Sequence, residues 1–159
     1  MHIAFERITS RQGHRAGRKL LEKLYAEHVG GQMPAVLVTE RGKPYFEGSN
    51  LHFSISHSKN HVFCVLSHTN VGIDAEEMDR EIDLQLAQKI LSPAEKVRYE
   101  ACEDKRAALL KLWVLKEAAA KLSGEGLRGY PNHTDFDPND PRVKIIAGCY
   151  VAILEQMQN

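Results

Sequence analysis

Three carboxylates and two lysines hold most of the chemistry that can be read in this chain. In VGIDAEEMD, residues 71–79, Val71, Ile73 and Ala75 alternate with Gly72, Asp74 and Glu76. Side chains alternate across a strand, so Asp74 and Glu76 project from one face, about 7 Å apart. Two such carboxylates repel, and one takes a raised pKa unless a cation lies between them. Mg²⁺ suits that place, because it takes one or two protein carboxylates together with water and phosphate oxygens. A second stretch, LWVLKEAAAKL at 112–122, sets Trp113, Glu117 and Lys121 on one helical stripe, with Lys116 beside it. Glu117 can give the metal a third carboxylate, and Lys121 can hold a phosphate one turn on. Plainer readings stand beside both. The first stretch can be a solvent-facing acidic strand end. The second can be an i,i+4 pair worth about 0.3–0.5 kcal/mol, with Trp113 as core.

Two shorter stretches add anion-binding groups. FSISHS, 53–58, brings Ser56, His57 and Ser58 to a strand end, where hydroxyls and an imidazole can grip phosphate or simply cap and pack. GKPYF, 42–46, is a rigid turn that presents Lys43 beside Pro44. No acid is spaced to orient His57 in a nucleophilic triad, and the other histidines show no paired zinc spacing. Cys64, Cys102 and Cys149 are far apart and form no CxxC pair, so neither a zinc site nor a disulfide framework is indicated. Reduced thiols fit a cytoplasmic protein.

The elements that must position these groups follow from periodicity and punctuation. A short strand is expected at Met1–Ile8. A helix should run from an N-cap at Ser10 to about His28, stopped by Gly30-Gly31, with Arg11, Arg15 and Arg18 on one face and Leu20, Leu21 and Leu24 toward a core. Ala35–Thr39 reads as a strand. Leu51, Phe53 and Ile55 alternate with polar residues, VFCVL at 62–66 is apolar throughout like a strand buried on both faces, and these two should form a meander with 71–77. Asp83–Leu91 is a candidate helix. Ser92-Pro93-Ala94-Glu95 has the form of a capping box. Asp104–Leu122 is the strongest helix, ended by Gly124 and Gly126. A loop with Pro131, Pro138 and Pro141 precedes a last strand, Val143–Leu154. The class is α+β.

Bulk properties narrow the field. The 159 residues, 43% hydrophobic and 26% charged, suit one domain with a real core. No apolar run approaches the roughly 20 residues of a bilayer span, and MHIAFERITSRQGHR lacks the apolar segment of a secretory signal. The net charge is zero but uneven. Residues 1–23 hold Arg7, Arg11, Arg15, Arg18, Lys19 and Lys23, and residues 74–83 hold six acids against Arg80. A basic start and an acidic middle suit a ligand that is anionic yet metal-linked, although two differing solvated faces would look the same.

The order GKPYF … FSISHS … GIDAE … LWVLKEAAAK resembles the 4′-phosphopantetheinyl transferase superfamily, in its Sfp-like branch, from Gly42 to about residue 127. Upstream of Gly42 the match is poor, so the N-terminal region looks shortened. The resemblance implies two similar α+β halves, about 1–67 and 68–159, related by pseudo-twofold symmetry with coenzyme A between them. It implies transfer of phosphopantetheine from coenzyme A to a serine of an acyl or peptidyl carrier protein, with release of 3′,5′-ADP. Asp74, Glu76 and Glu117 would hold Mg²⁺. Lys121, and less directly Lys116, would contact the diphosphate, and Ser56 and His57 the 3′-phosphate, while Lys43 and Pro44 would line the adenine side. Asp74, Glu117 and Lys121 are the expected catalytic set. Charge alone adds Arg11, Arg15 or Arg18 to the 3′-phosphate site. The serine proton would go to Glu117 or to a metal-held water, with Glu95 behind them. The expected setting is a cytoplasmic monomer without nucleic-acid or membrane partners. A Mg²⁺-dependent nucleotide-diphosphate hydrolase and a non-catalytic carrier- or CoA-binding relative remain alternatives.

Overall fold

Apolar alternation and helix-capping chemistry account for most of the observed elements. The computed structural model describes residues 1–9, 11–126 and 133–157. The expected N-cap Ser10 and the loop residue Pro131 lie outside the described residues. The chain runs β1 (His2–Arg7), α1 (Gly13–His28), β2 (Val36–Val38), β3 (Pro44–Phe46), β4 (His52–His57), β5 (His61–Ser67) and β6 (Val71–Glu77). It continues through α2 (Leu86–Ile90), α3 (Pro93–Glu100), α4 (Lys105–Ser123), β7 (Val143–Ile146) and β8 (Cys149–Glu155). The fold is α+β, and no described helix is long and apolar enough to cross a membrane.

Two three-stranded antiparallel sheets, ordered β1-β5-β4 and β6-β8-β7, stand beside the small β2–β3 hairpin. In β5, Val62, Cys64 and Leu66 pack on Leu20, Leu21 and Leu24 of α1. The alternate residues Phe63 and Val65 pack on Val71, Ile73 and Ala75 of β6 and on Cys149 and Val151 of β8. The far face of the second sheet, with Tyr150, Ala152 and Leu154, meets Leu115, Ala118 and Ala119 of α4. The layers are therefore helix, sheet, sheet, helix. The central-strand reading of 62–66 holds, because both faces of β5 are covered.

The expected meander through 71–77 is corrected. β4 and β5 pair, but β6 pairs with β8, with Asp74 opposite Ala152 and Glu76 opposite Tyr150. The other edge of β6 meets β4 through side chains instead. Ile73 N–H donates to Ser54 Oγ at 3.1 Å and Ala75 N–H to Ser56 Oγ at 3.1 Å. Serine hydroxyls thus take the place of strand carbonyls and join the two sheets.

Three further expectations shift. The last strand is a hairpin, because Ala147 (φ 51°) and Gly148 (φ 74°) form a two-residue reversal of the left-handed kind that tight hairpins use. The helix expected over 83–91 shrinks to Leu86–Ile90, with no side-chain cap at its start. Trp113 is only half-buried at the edge of the core, with the Arg80 guanidinium 6.0 Å from its ring centre. The capping box is present in full, since Ser92 accepts from Glu95 N and Glu95 from Ser92 N. α4 begins at Asp104, which accepts from Ala107 N, and ends at a left-handed Gly124.

α4 lies unusually close to β6. A Cβ added at Gly72 would sit 2.1 Å from the Ala118 carbonyl oxygen and 2.6 Å from Leu122 N. Only glycine permits that contact, and the contact brings the C-terminal turns of α4 over Asp74.

Candidate active site

Asp74 leaves β6 on the side facing α4, and Lys121 comes down from the last turn of α4 to meet it. Lys121 Nζ donates to Asp74 Oδ1 at 2.9 Å, to Ile73 O at 3.0 Å and to Ile55 O at 3.3 Å, so one ammonium braces β4, β6 and α4. Asp74 Oδ1 also accepts from Ser56 Oγ at 3.0 Å. Asp74 Oδ2 is different. It is the buried side-chain polar atom that has no hydrogen-bond partner among the described residues. Burial pushes the carboxyl up in pKa, against the pull of Lys121 and Ser56. An unpaired buried carboxylate oxygen costs roughly 1–3 kcal/mol, so it calls for a partner from outside the chain.

Two more carboxylates are coupled to Asp74. Burial, opposed by Arg80 and reinforced by Asp74, Glu77 and Glu117, pushes Glu76 up to about 7. Burial, with Asp74 adding to it, pushes Glu117 up to about 7. Asp74 thus adds to the raising of both Glu76 and Glu117, and a divalent cation beside it would relieve that repulsion. Oxygen donors alone make up this set, as Mg²⁺ prefers, and the bare Asp74 Oδ2 fits the same group. Glu76 has a competitor in place, since Arg80, in the turn that follows β6, pairs with it.

Two adjoining cavities open beside these groups. One of about 240 Å³ is lined by Arg41, Lys43, Pro44, Glu117, Lys121 and Gly124 among others. The second, about 570 Å³, reaches Pro44, Ser56, His57, Asp74 and Lys121 and extends to His14 and Arg18 of α1. A neighbouring hollow holds Arg11, Gly13, Arg15 and His57. Gly13 is needed there, because a Cβ would lie 2.8 Å from the His57 ring. The His14 and His57 rings meet edge-on at 5.2 Å. Burial, then His14 and Lys121, holds His57 below its ordinary value, against Asp74.

A sequence model described as the 4′-phosphopantetheinyl transferase superfamily matches residues 70–150, which span β6 to β8 and include every carboxylate above. The chain belongs to the 4′-phosphopantetheinyl transferase superfamily. It is 34% identical over 108 residues to the 4′-phosphopantetheinyl transferase gsp of Aneurinibacillus migulanus, covering 67% of this chain and 45% of that protein. It is 32% identical over 139 residues to the 4′-phosphopantetheinyl transferase psf-1 of Bacillus pumilus, covering 79% and 59%. With HetI of Nostoc sp. the identity is 33% over 122 residues, covering 70% and 52%. The chain spans about half the length of the curated relatives it matches.

Among the expected residues of a transferase of this superfamily, Asp74, Glu117, Lys121, Ser56, His57 and Pro44 line the two cavities. Lys116 stands apart from them. Its side chain is 1% exposed and its ammonium donates to Glu95 Oε1 at 2.7 Å and also to Thr134. It contacts no cavity described here, because it lies on a different face of α4 from Glu117 and Lys121. Glu95, the reserve base, is fully buried within the same network and has no route to a substrate proton. Lys43 lines a cavity, but its ammonium is committed to Asn70 Oδ1 at 2.6 Å and the Leu122 carbonyl at 2.7 Å, and burial lowers its pKa. It ties the 41–44 turn to the end of α4 while its side chain lines the cavity. Ser56 is likewise engaged, by Asp74 and Ala75 N. Sequence reasoning passed over Gly13 and His14. Their signal is tertiary, since only the fold sets the start of α1 against His57.

Proposed function

We propose that this chain transfers the 4′-phosphopantetheine arm of coenzyme A to a serine of an acyl or peptidyl carrier protein, with Mg²⁺, releasing 3′,5′-ADP. One observation carries the reading. Asp74 Oδ2, buried and without a partner among the described residues, lies near acids raised by burial and by Asp74, and Asp74 lines a cavity with Lys121 and His57.

Asp74, Glu76 and Glu117 would hold Mg²⁺, with Arg80 giving way at Glu76. Bound there, the ion would neutralise the coenzyme A diphosphate and the charge that builds on the departing 3′,5′-ADP. Lys121 holds the diphosphate by exchanging a backbone carbonyl for a phosphate oxygen. Arg11, Arg15 and His57 receive the 3′-phosphate, and Pro44 flanks the adenine. The carrier serine oxygen forms a bond to the β-phosphorus as the bond to the ADP oxygen breaks. Glu117, or a water held beside it, would take the serine proton.

We further read the chain as two similar halves, about 1–67 and 68–159, with the cleft between them. In support, each three-stranded sheet takes a strand, then, after a helical segment, two more strands of which the last lies in its middle, and the first half adds the β2–β3 hairpin. That shared order supports a pseudo-twofold relation.

Incubation with coenzyme A, Mg²⁺ and an apo carrier protein, with the carrier weighed by mass spectrometry, tests the reading. A gain of one phosphopantetheine is expected. Cleavage of coenzyme A without carrier would point to a hydrolase. Tight coenzyme A binding with an unchanged carrier mass would point to a non-catalytic relative.

A further inference from the structure

A second cluster of metal-ligating atoms lies on the opposite face of β6. Side chains alternate along the strand, so Glu77 points away from Asp74 and Glu76, and its strand partner across the ladder is Cys149 of β8. His61, at the start of β5, reaches the same place. His61 Nδ1 lies 3.3 Å from Glu77 Oε1 and 3.5 Å from Cys149 Sγ. One ligand atom from each residue falls within 4.8 Å of the others.

The hydrogen bonds that join His61 and Cys149 to their neighbours are long. Nδ1 of a neutral imidazole can donate to Glu77 or accept from the thiol, but not both. The thiol's other acceptor, the Ala147 carbonyl, is 3.9 Å away. Glu77 Oε1 already accepts from Ser58 Oγ at 2.7 Å and Asn60 N at 2.8 Å, and Oε2 accepts from Lys59 N at 3.1 Å. His61 is thus the third and longest donor on one oxygen. Tetrahedral zinc, with Zn–S about 2.3 Å, Zn–N about 2.0–2.1 Å and Zn–O about 2.0–2.2 Å, requires N···S of roughly 3.5 Å and N···O of roughly 3.3 Å. Both observed separations match.

We propose that His61 Nδ1, Cys149 Sγ and Glu77 Oε1 form a site for a zinc-class divalent ion, distinct from the carboxylate cleft. The thiol yields its proton to solvent on binding, and water takes the fourth position. The sequence concealed this set, because its members come from three strands with no local spacing. The ion would clasp the start of β5 to β6 and β8, joining the two sheets at the end remote from Ser54. The proposal stands whether or not the chain is a transferase.

Cobalt(II) is the probe. The intact protein, stripped by a chelator and returned to excess Mg²⁺, is titrated with Co²⁺ and followed by absorption spectroscopy. A thiolate-to-cobalt charge-transfer band with intense four-coordinate d–d absorption should saturate at one equivalent and disappear on adding Zn²⁺. Both features should be lost in Cys149→Ser and in His61→Gln, and kept in Asp74→Asn. Because Cys149 is fully buried, folding of its variant is checked by circular dichroism, while His61→Gln at the partly exposed ring gives an independent reading. Zn²⁺ should raise the thermal midpoint of the wild type and not that of His61→Gln. A weak six-coordinate spectrum, or a band that survives either substitution, overturns the proposal.

Discussion

α4 carries two lysines five residues apart, and each meets a buried carboxylate on a single oxygen. Lys116 meets Glu95 Oε1 at 2.7 Å, and Lys121 meets Asp74 Oδ1 at 2.9 Å. The second oxygens differ. Glu95 Oε2 accepts from Thr134 Oγ1 at 2.7 Å and from Phe136 N at 3.0 Å, while Oε1 also accepts from Ser92 N. Asp74 Oδ2 has no partner among the described residues. The exposures differ too. The Lys116–Glu95 pair is sealed at 1% and 0%, whereas the Lys121 side chain is 32% exposed toward the cleft. Burial works to raise Glu95, and its donors, led by Lys116, hold it below the usual carboxylate range. A closed set of partners anchors α3 and the 134–136 segment to α4. A set left one partner short is fit to receive a cation.

The comparison can be broken most severely on the sealed side. Glu95→Ala leaves Lys116 buried without its carboxylate and strips the cap from α3, so stability to urea should fall by about 3–5 kcal/mol. Glu95→Leu combined with Lys116→Met should recover much of that loss, and failure to recover any would make the pair more than structural. On the open side, Asp74→Asn should cost about 10²–10³ in carrier modification, or about 3–4 kcal/mol of transition-state stabilisation, with a far smaller change in urea midpoint. Equal losses of activity and stability would erase the distinction between the two pairs. Ser56→Ala removes the acceptor of Ala75 N–H and a donor to Asp74, so a loss of about 1–3 kcal/mol is expected in the same unfolding assay.

The smallest effect is a pH dependence. Glu76 and Glu117 are raised from 4.5 to about 7, so the folded state binds their protons more tightly than the unfolded chain. Their contribution is full below about 4.5 and is lost as pH rises through about 7. Lowering the pH from about 8 to about 6 should therefore stabilise metal-free protein by no more than about 1–2 kcal/mol after solvent screening, seen as a higher thermal midpoint. Saturating Mg²⁺ should remove that trend, because it binds the ionised forms, and its affinity should weaken as pH falls through the same range. A metal-free midpoint that drops on acidification would place these carboxyls in ordinary solvent.

Local chemistry was readable in the sequence where one segment carried the whole signal. The capping box at Ser92 and Glu95, the Asp104 and Gly124 ends of α4, and the doubly buried run in β5 are of that kind. Glu117 and Lys121 could be paired from their i,i+4 spacing, and the same helical geometry puts Lys116 on a different face from both. What escaped was set by contacts between distant segments. β6 offers no sign that its edge will take serine hydroxyls from β4 instead of a neighbouring strand. Ala147-Gly148 reverses the chain with an alanine where a sequence reader looks for asparagine or aspartate. His61, Glu77 and Cys149 share no spacing at all.

The hydroxyls of Ser54 and Ser56 have a mechanical consequence. Each receives one amide of β6, two residues apart, like teeth of a zip engaged at two points. A slide of one sheet along the other by a single residue would misplace both amides at once and pull Lys121 off its two carbonyls. A movement of the sheets that keeps both bonds is a rotation about the line of those two hydroxyls, as a page turns, and Asp74, beside the spine, would travel least in it.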